Sequence, residues 1–343
     1  LSDETLQLFG FGDGGGGPTV QMLENYQRLK YGLPGLPKVS MGTQKGYFER
    51  LQEKVDHSRY LGHWQGELYF ENHRGTYTSM AKNKRYNRVC EFLYQDVELI
   101  GTQAKYLGWV YPKSEIKEGW KIILLNQFHD IIPGTAIKEV YDETDRQYEE
   151  ILASGKKIIH DAMTYIGQHR GRSEDGMMVF NTLSHDRSDV LNFTGEFSKT
   201  VTALEDQEGN VYPVVPSTMD LGYSVLLEMI PTKGYKFFKY LFEKPLAKVM
   251  QTSIDDQLKR NDKGQLTFNN DVYELVFDDA MTFIGIYDKE NERQLLKAGG
   301  RGNVLQLFED RPSDYENWNI DYTFKDKHYE IQDVTEFNLV EHS

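Results

Sequence analysis

Between positions 86 and 107 apolar side chains recur in alternating steps of four and three: Tyr86, Cys90, Leu93, Val97, Ile100, Ala104 and Leu107. That stepping keeps all seven on one stripe of an α-helix, and a stripe this long calls for other helices to cover it. The same stepping returns at Ile137, Tyr141, Thr144, Tyr148, Ile151, Gly155, Ile158, Ala162 and Tyr165, and residues 116–128 supply a shorter apolar helix between the two. Three antiparallel helices in a bundle are therefore predicted. Pro133-Gly134 separates the second from the third, and Thr135 is placed to cap the third.

On either side the period changes. Residues 6–11 read as a strand, 13–17 as a glycine loop, 19–30 as a helix and 39–41 as a second strand, the order of an α/β unit. From about residue 177 the pattern alternates. Residues 177–180, 211–215, 223–229, 235–240, 272–277 and 284–287 read as strands separated by Asn, Asp, Gly and Lys turns, which suits a β-sandwich. The polar stretch 167–176 is the expected linker. The expected architecture is multidomain: the end of an α/β barrel over 1–45, a helical bundle over 46–170, and a β-sandwich-like domain, incomplete, over 177–343. A length of 343 residues accommodates two or three domains with cores that need no disulfide or metal staple.

Composition narrows the partners. A formal net charge of -14 argues against nucleic-acid and anionic-membrane partners, which call for basic patches. Cys90 is the single cysteine, has no internal disulfide partner, and favours a reducing compartment. No apolar run approaches spanning length and no signal peptide is recognisable. The chain starts at Leu1 and reads as a piece of something longer.

Two features could carry chemistry. Phe11-Gly12-Asp13-Gly14-Gly15-Gly16-Gly17-Pro18 follows a predicted strand and precedes a predicted helix. Its amides could cradle a phosphate, although the run has neither the dinucleotide spacing nor a Lys-Ser/Thr ending. It could instead leave room for a bulky polar ligand faced by Asp13, or be a tight turn with Asp13 as a helix cap. Three His-Asp dipeptides also occur, at 129–130, 160–161 and 185–186. His160 lies within a predicted helix and His185 in a polar turn. His129 sits at a helix end before Pro133-Gly134, a rigid place from which to offer an imidazole to a metal; a protonated histidine on the helix dipole, paired with Asp130, is the alternative. No His-x-Asp or His-x-x-x-His spacing occurs, so any co-ligands are remote.

Several segments resemble one family. Phe9-Gly10-Phe11-Gly12-Asp13-Gly14-Gly15-Gly16-Gly17-Pro18-Thr19 resembles the glycine segment of glycoside hydrolase family 38 α-mannosidases, in their cytosolic and bacterial branch. Gly66-Glu67-Leu68-Tyr69-Phe70-Glu71-Asn72-His73-Arg74-Gly75-Thr76-Tyr77-Thr78-Ser79 is similar to another signature of that family, and residues 126–135 to the segment with its metal-binding histidine. Phe180-Asn181-Thr182-Leu183-Ser184, residues 284–289, residues 303–312 and Trp318-Asn319-Ile320-Asp321 resemble its β-domain.

The resemblance implies a zinc-dependent, retaining enzyme that removes terminal α-linked mannose from oligosaccharides. Its Zn2+ is held by a His-x-Asp pair, a second Asp that is also the nucleophile, and a later His. By match, His129 is that later His, Asp130 binds sugar hydroxyls, Tyr77 lines the sugar pocket, and Asp13 falls near the general acid/base. The His-x-Asp pair and the nucleophile find no match here, so the 343 residues are expected to be an internal fragment, inactive alone. A non-catalytic carbohydrate-binding or interaction module is the alternative of another class, and assembly into homo-oligomers is left open.

Overall fold

The computed structural model describes residues 3–12, 15–56, 58–66, 73–170, 176–195, 197, 199–217, 222–242 and 257–336. The chain divides into two compact units, Leu1–Leu68 and Tyr69–Ser343.

The first unit contains α1 (Val20–Leu29) and α2 (Gln44–Val55). Thr19 caps α1 by accepting the Met22 N–H at 3.2 Å, and Thr43 caps α2 by accepting the Gly46 N–H at 3.1 Å, each satisfying a first-turn amide that the helix leaves free. Residues 6–11 and 39–41, expected as strands, are irregular. A strand exists only with a ladder partner, and no described residue of this unit supplies one.

The second unit begins with α3 (Ala81–Tyr106), α4 (Lys113–Asn126) and α5 (Lys138–His169). Their shared core holds Cys90, Tyr94 and Val97 of α3, Ile116 and Ile123 of α4, and Tyr148, Ile151 and Ile158 of α5. The buried side of α5 repeats the predicted stripe from Tyr141 to Ala162 almost residue for residue. Gly119 of α4 packs directly on the fully buried Tyr94 ring, whose hydroxyl donates to the Ile151 carbonyl at 3.1 Å and ties all three helices. Thr135 does not cap α5: the cap position is Ile137, without a side-chain bond, and the Thr135 hydroxyl is used elsewhere.

At one end this core turns polar. Thr144 donates to the Asn126 side-chain oxygen at 2.9 Å, Asn126 donates to Gln147 at 2.9 Å, and Gln127 donates to Asn87 at 3.0 Å and Glu91 at 2.9 Å. Directional bonds of this kind fix one arrangement where apolar packing would tolerate several. It lies beside the end of α4, where His129 follows.

Among the described residues, three antiparallel sheets complete the unit. Six strands, β1 (Gly176–Asn181), β2 (Arg187–Phe193), β3 (Ala203–Asp206), β4 (Val211–Ser217), β5 (Gly222–Ile230) and β6 (Gly234–Leu241), are ordered β1-β6-β3-β4-β5-β2. Met178, Phe180 and Tyr235 pack this sheet against Ile100, Ala104, Ala162 and Ile166 of the helices. A second sheet, ordered β11-β10-β9-β8-β7, uses β7 (Leu258–Arg260), β8 (Leu266–Asn269), β9 (Tyr273–Phe277), β10 (Phe283–Asp288) and β11 (Arg293–Gln294). The pair β12 (Gln306–Phe308) and β13 (His328–Glu330) follows. No described helix is long and apolar enough to cross a membrane.

Candidate functional site

His129 and Asp130 stand on a hydrogen-bonded turn that leaves the C-terminus of α4. The Ile131 and Ile132 N–H groups donate to the Phe128 carbonyl at 2.8 and 3.1 Å, and the Gly134 N–H donates to Ile131 at 3.2 Å. The His129 side chain is 76% exposed and that of Asp130 44%, with 3.6 Å between His129 Nε2 and Asp130 Oδ2. That spacing exceeds a hydrogen bond, so the imidazole nitrogen is uncommitted. His160 is exposed on α5, and His185 is exposed in a turn held by Asn181, which donates to the His185 carbonyl at 2.8 Å, and by Thr232, whose N–H donates to Asp186 Oδ1 at 2.9 Å.

Side chains from three directions fasten the turn. Thr135 donates to Asp130 Oδ1 at 3.2 Å, orienting the carboxylate. The Tyr141 hydroxyl lies 3.1 Å from the Ile131 carbonyl and 3.4 Å from that of Asp130, and accepts the Ala136 N–H at 3.1 Å. Burial raises the Tyr141 hydroxyl above its ordinary range against the effect of the Ala136 N–H, and the Asp130 charge adds to the rise, so it remains a donor. Asn83, 1% exposed, donates to the Ile131 carbonyl at 3.1 Å. The half-buried Lys84 ammonium donates to the Ile132 carbonyl at 2.8 Å, the Pro133 carbonyl at 3.0 Å and the Ser79 carbonyl. Burial lowers its pKa.

Ser79 belongs to the turn that carries Tyr77, a 3-10 helix over Gly75–Tyr77. Gly134, with φ +96°, sits so close that a Cβ there would lie 2.6 Å from the Ser79 carbonyl oxygen. Met80, joining this turn to α3, is left-handed with φ 51°, a conformation that costs a non-glycine residue free energy. From the C-terminal region, Trp318 accepts the Gly75 N–H at 2.9 Å, Asn317 accepts from the Ser79 hydroxyl at 3.0 Å, and the His73 ring meets Trp318 edge-on at 5.1 Å. Segments 73–79, 129–135 and 315–321 thus meet at one junction, with Tyr77 exposed and Asp130 half-buried on it.

Asp13 lies outside the described residues. Its loop is closed by the Phe11 N–H donating to the Gly17 carbonyl at 2.8 Å, with Gly12 and Gly17 left-handed at φ 63° and 70°. The cap of α1 is Thr19, not Asp13.

Sequence reasoning missed Lys84, Asn83 and the anchoring role of Tyr141. A signal for Asn83 existed: Asn83 and Asn87 continue the four-three stepping upstream from Cys90, marking a buried stripe turning polar. Tyr141 was legible only as part of the apolar stripe, and nothing local distinguished Lys84.

The Glycosyl hydrolases family 38 N-terminal domain model matches residues 1–67, the Alpha mannosidase middle domain model residues 71–166, and the Glycosyl hydrolases family 38 C-terminal domain model residues 268–343. Alpha-mannosidase 2C1 of Homo sapiens is 30% identical over 322 residues, covering 91% of this chain and 27% of that protein. Alpha-mannosidase G of Dictyostelium discoideum is 26% identical over 354 residues, covering 92% of this chain and 30% of that protein. A crystal structure of a protein in the glycosyl hydrolase family 38 from Enterococcus faecalis shares the fold with a TM-score of 0.53 at 15% identity, covering 86% of this chain and 41% of that one. The chain spans about a quarter of the length of the curated relatives it matches. With N-terminal, middle and C-terminal family models matched in order, the chain belongs to glycosyl hydrolase family 38.

Proposed function

We propose that the protein carrying this chain is a zinc-dependent, retaining α-mannosidase that removes terminal α-linked mannose from oligosaccharides in the cytoplasm. The observation that carries this reading is the presentation of His129 and Asp130: an exposed imidazole and a half-buried carboxylate on a turn fixed by Thr135, Tyr141, Asn83 and Lys84. Exposed side chains need no such support for stability alone, whereas a binding site requires fixed geometry.

The fit of the residues to zinc is partial. His129, with an uncommitted ring nitrogen, suits a single zinc donor, and Asp130 is a carboxylate beside it. Zinc takes three or four protein ligands, and among the described residues no three His, Cys, Asp or Glu come together to hold a metal. The described residues therefore do not close a zinc shell by themselves. Bound zinc supplies polarisation of sugar hydroxyls near the reacting carbon.

The remaining roles belong to protein groups. Asp130 keeps free lone pairs after accepting from Thr135, so it can take hydrogen bonds from two neutral sugar hydroxyls without repelling them. Tyr77 offers an exposed ring beside the same junction, a wall for the sugar. Asp13 takes the general acid/base place, one of two carboxylates that a retaining glycosidase sets about 5 Å apart.

The test is product stereochemistry. The full protein carrying this chain, given an aryl α-mannoside in an NMR tube, is expected to release the α-anomer of mannose first. First release of the β-anomer removes the retaining mechanism; no turnover of α-mannosides while another glycoside is hydrolysed removes the substrate assignment.

A further inference from the structure

An ammonium group has three N–H donors and no acceptor. Lys84 spends all three on backbone carbonyls of two segments: Ser79, in the turn just ahead of its own helix, and the remote Ile132 at 2.8 Å and Pro133 at 3.0 Å. Among the described residues no carboxylate lies within ion-pair distance of it. Lys84 rises from α3, whose neighbouring Asn83, Asn87 and Cys90 are buried, so its base does not move freely. Its reach therefore transmits the position of α3 to both segments at once.

The two segments are otherwise joined mainly by close packing. Gly134 lies against the Ser79 backbone, and Ser79 in turn holds the Gly75 and Asn317 carbonyls through its hydroxyl. Without the Lys84 bonds, the Ile132 and Pro133 carbonyls have no other side-chain donor among the described bonds, and Asn83, through the Ile131 carbonyl, is left as the side-chain bond from α3 to the 129–135 turn, which can then shift against the 75–79 turn. Asp130 and Tyr77 stand on these two turns.

We propose that Lys84 is a positioning residue of the sugar site: its ammonium clamps the turn bearing His129 and Asp130 to the turn bearing Tyr77 and sets the distance between their side chains. The inference rests on the mannoside reading above for its sugar and on the Lys84 bonds for its mechanism. A cation bonding carbonyls makes stronger contacts than a neutral donor, which suits a clamp at an exposed rim.

The experiment uses the full protein with Lys84→Met, which keeps length and loses every donor, and Lys84→Arg, which keeps donors. Amide exchange at Ile131, Ile132 and Gly134 is expected to quicken about tenfold or more in Lys84→Met, with core amides such as Val97 and Tyr148 unchanged. KM for an aryl α-mannoside is expected to rise about tenfold with kcat changed far less, and Lys84→Arg is expected to recover most of both. Unchanged exchange in Lys84→Met overturns the clamp. A loosened turn with unchanged KM overturns its role in positioning the sugar site. If the wild-type protein turns over no α-mannoside, the functional reading has failed while the exchange arm still decides the clamp. If Lys84→Met does not fold, Lys84→Ala, likewise without a donor, reads the same amides under the same criteria.

Discussion

Gly134→Ala is the sharpest local perturbation of the junction. The residue is buried at φ +96°, and an added Cβ would stand 2.6 Å from the Ser79 carbonyl oxygen and 2.7 Å from its carbonyl carbon and Cβ. Left-handed backbone costs a non-glycine residue about 1–2 kcal/mol. Forcing a methyl group into occupied space costs about 1–3 kcal/mol, at the upper end here because the obstacle is mostly backbone. Restricting the unfolded chain returns about 0.4–1 kcal/mol. The net is a destabilisation of about 3 kcal/mol, or roughly 6 °C in melting temperature for a unit of this size. Gly264→Ala is the control: it is also left-handed, at φ +77°, but a Cβ there meets nothing within 4 Å, so only the backbone cost of about 1 kcal/mol remains. Thermal unfolding of both variants, with amide exchange at Ile131 and Ile132, measures the difference. Equal losses in the two variants would falsify the close approach of the 129–135 and 75–79 turns.

Two further outcomes follow from buried groups. Burial pushes the Cys90 thiol up to about 12, so iodoacetamide near neutral pH should leave it unmodified in the folded protein and label it on unfolding; rapid native labelling, read by mass spectrometry, contradicts the packed helical core. Burial would raise the Asp206 carboxyl, but bonds from the Asn210 side chain and N–H, the Tyr212 hydroxyl and the Glu208 N–H outweigh it and hold the pKa low. The stability this gives is complete above the unfolded pKa of about 3.9 and lost as pH falls through the lower folded value, so urea midpoints should drop below about pH 4. Asp206→Asn should flatten that drop and cost about 1–3 kcal/mol at neutral pH; an unchanged acid limb refutes the assignment.

What the sequence disclosed depended on how locally each feature was determined. The α3 and α5 stripes were legible because helical burial is periodic along one segment, from Cys90 to Ala104 and from Tyr141 to Ala162. Strands with strong apolar alternation, such as β5 and β6, were legible for the same reason. β2, largely exposed, and the three-residue β7, β12 and β13 carry no such alternation, since their existence rests on partners found elsewhere in the chain. Residues 6–11 and 39–41 show the converse: apolar runs that look like strands form none without a ladder. At the junction, His129 and Asp130 stood out by type and by their place after a helix. The Ser79 hydroxyl bond to Asn317 spans 238 positions, and the Lys84 clamp spans 49, distances over which residue patterns carry no information.

The role proposed for His129 is that of a zinc donor in an α-mannoside-hydrolysing site. Its most direct test compares the purified full protein with its His129→Ala variant, measuring zinc by elemental analysis and turnover of an aryl α-mannoside on the same samples. The wild type should hold zinc near one equivalent and turn over substrate; the variant, folded by circular dichroism, should lose most of both, since an imidazole removed from a four-ligand shell leaves the ion weakly held. A variant that retains one equivalent of zinc and wild-type turnover would contradict the assignment.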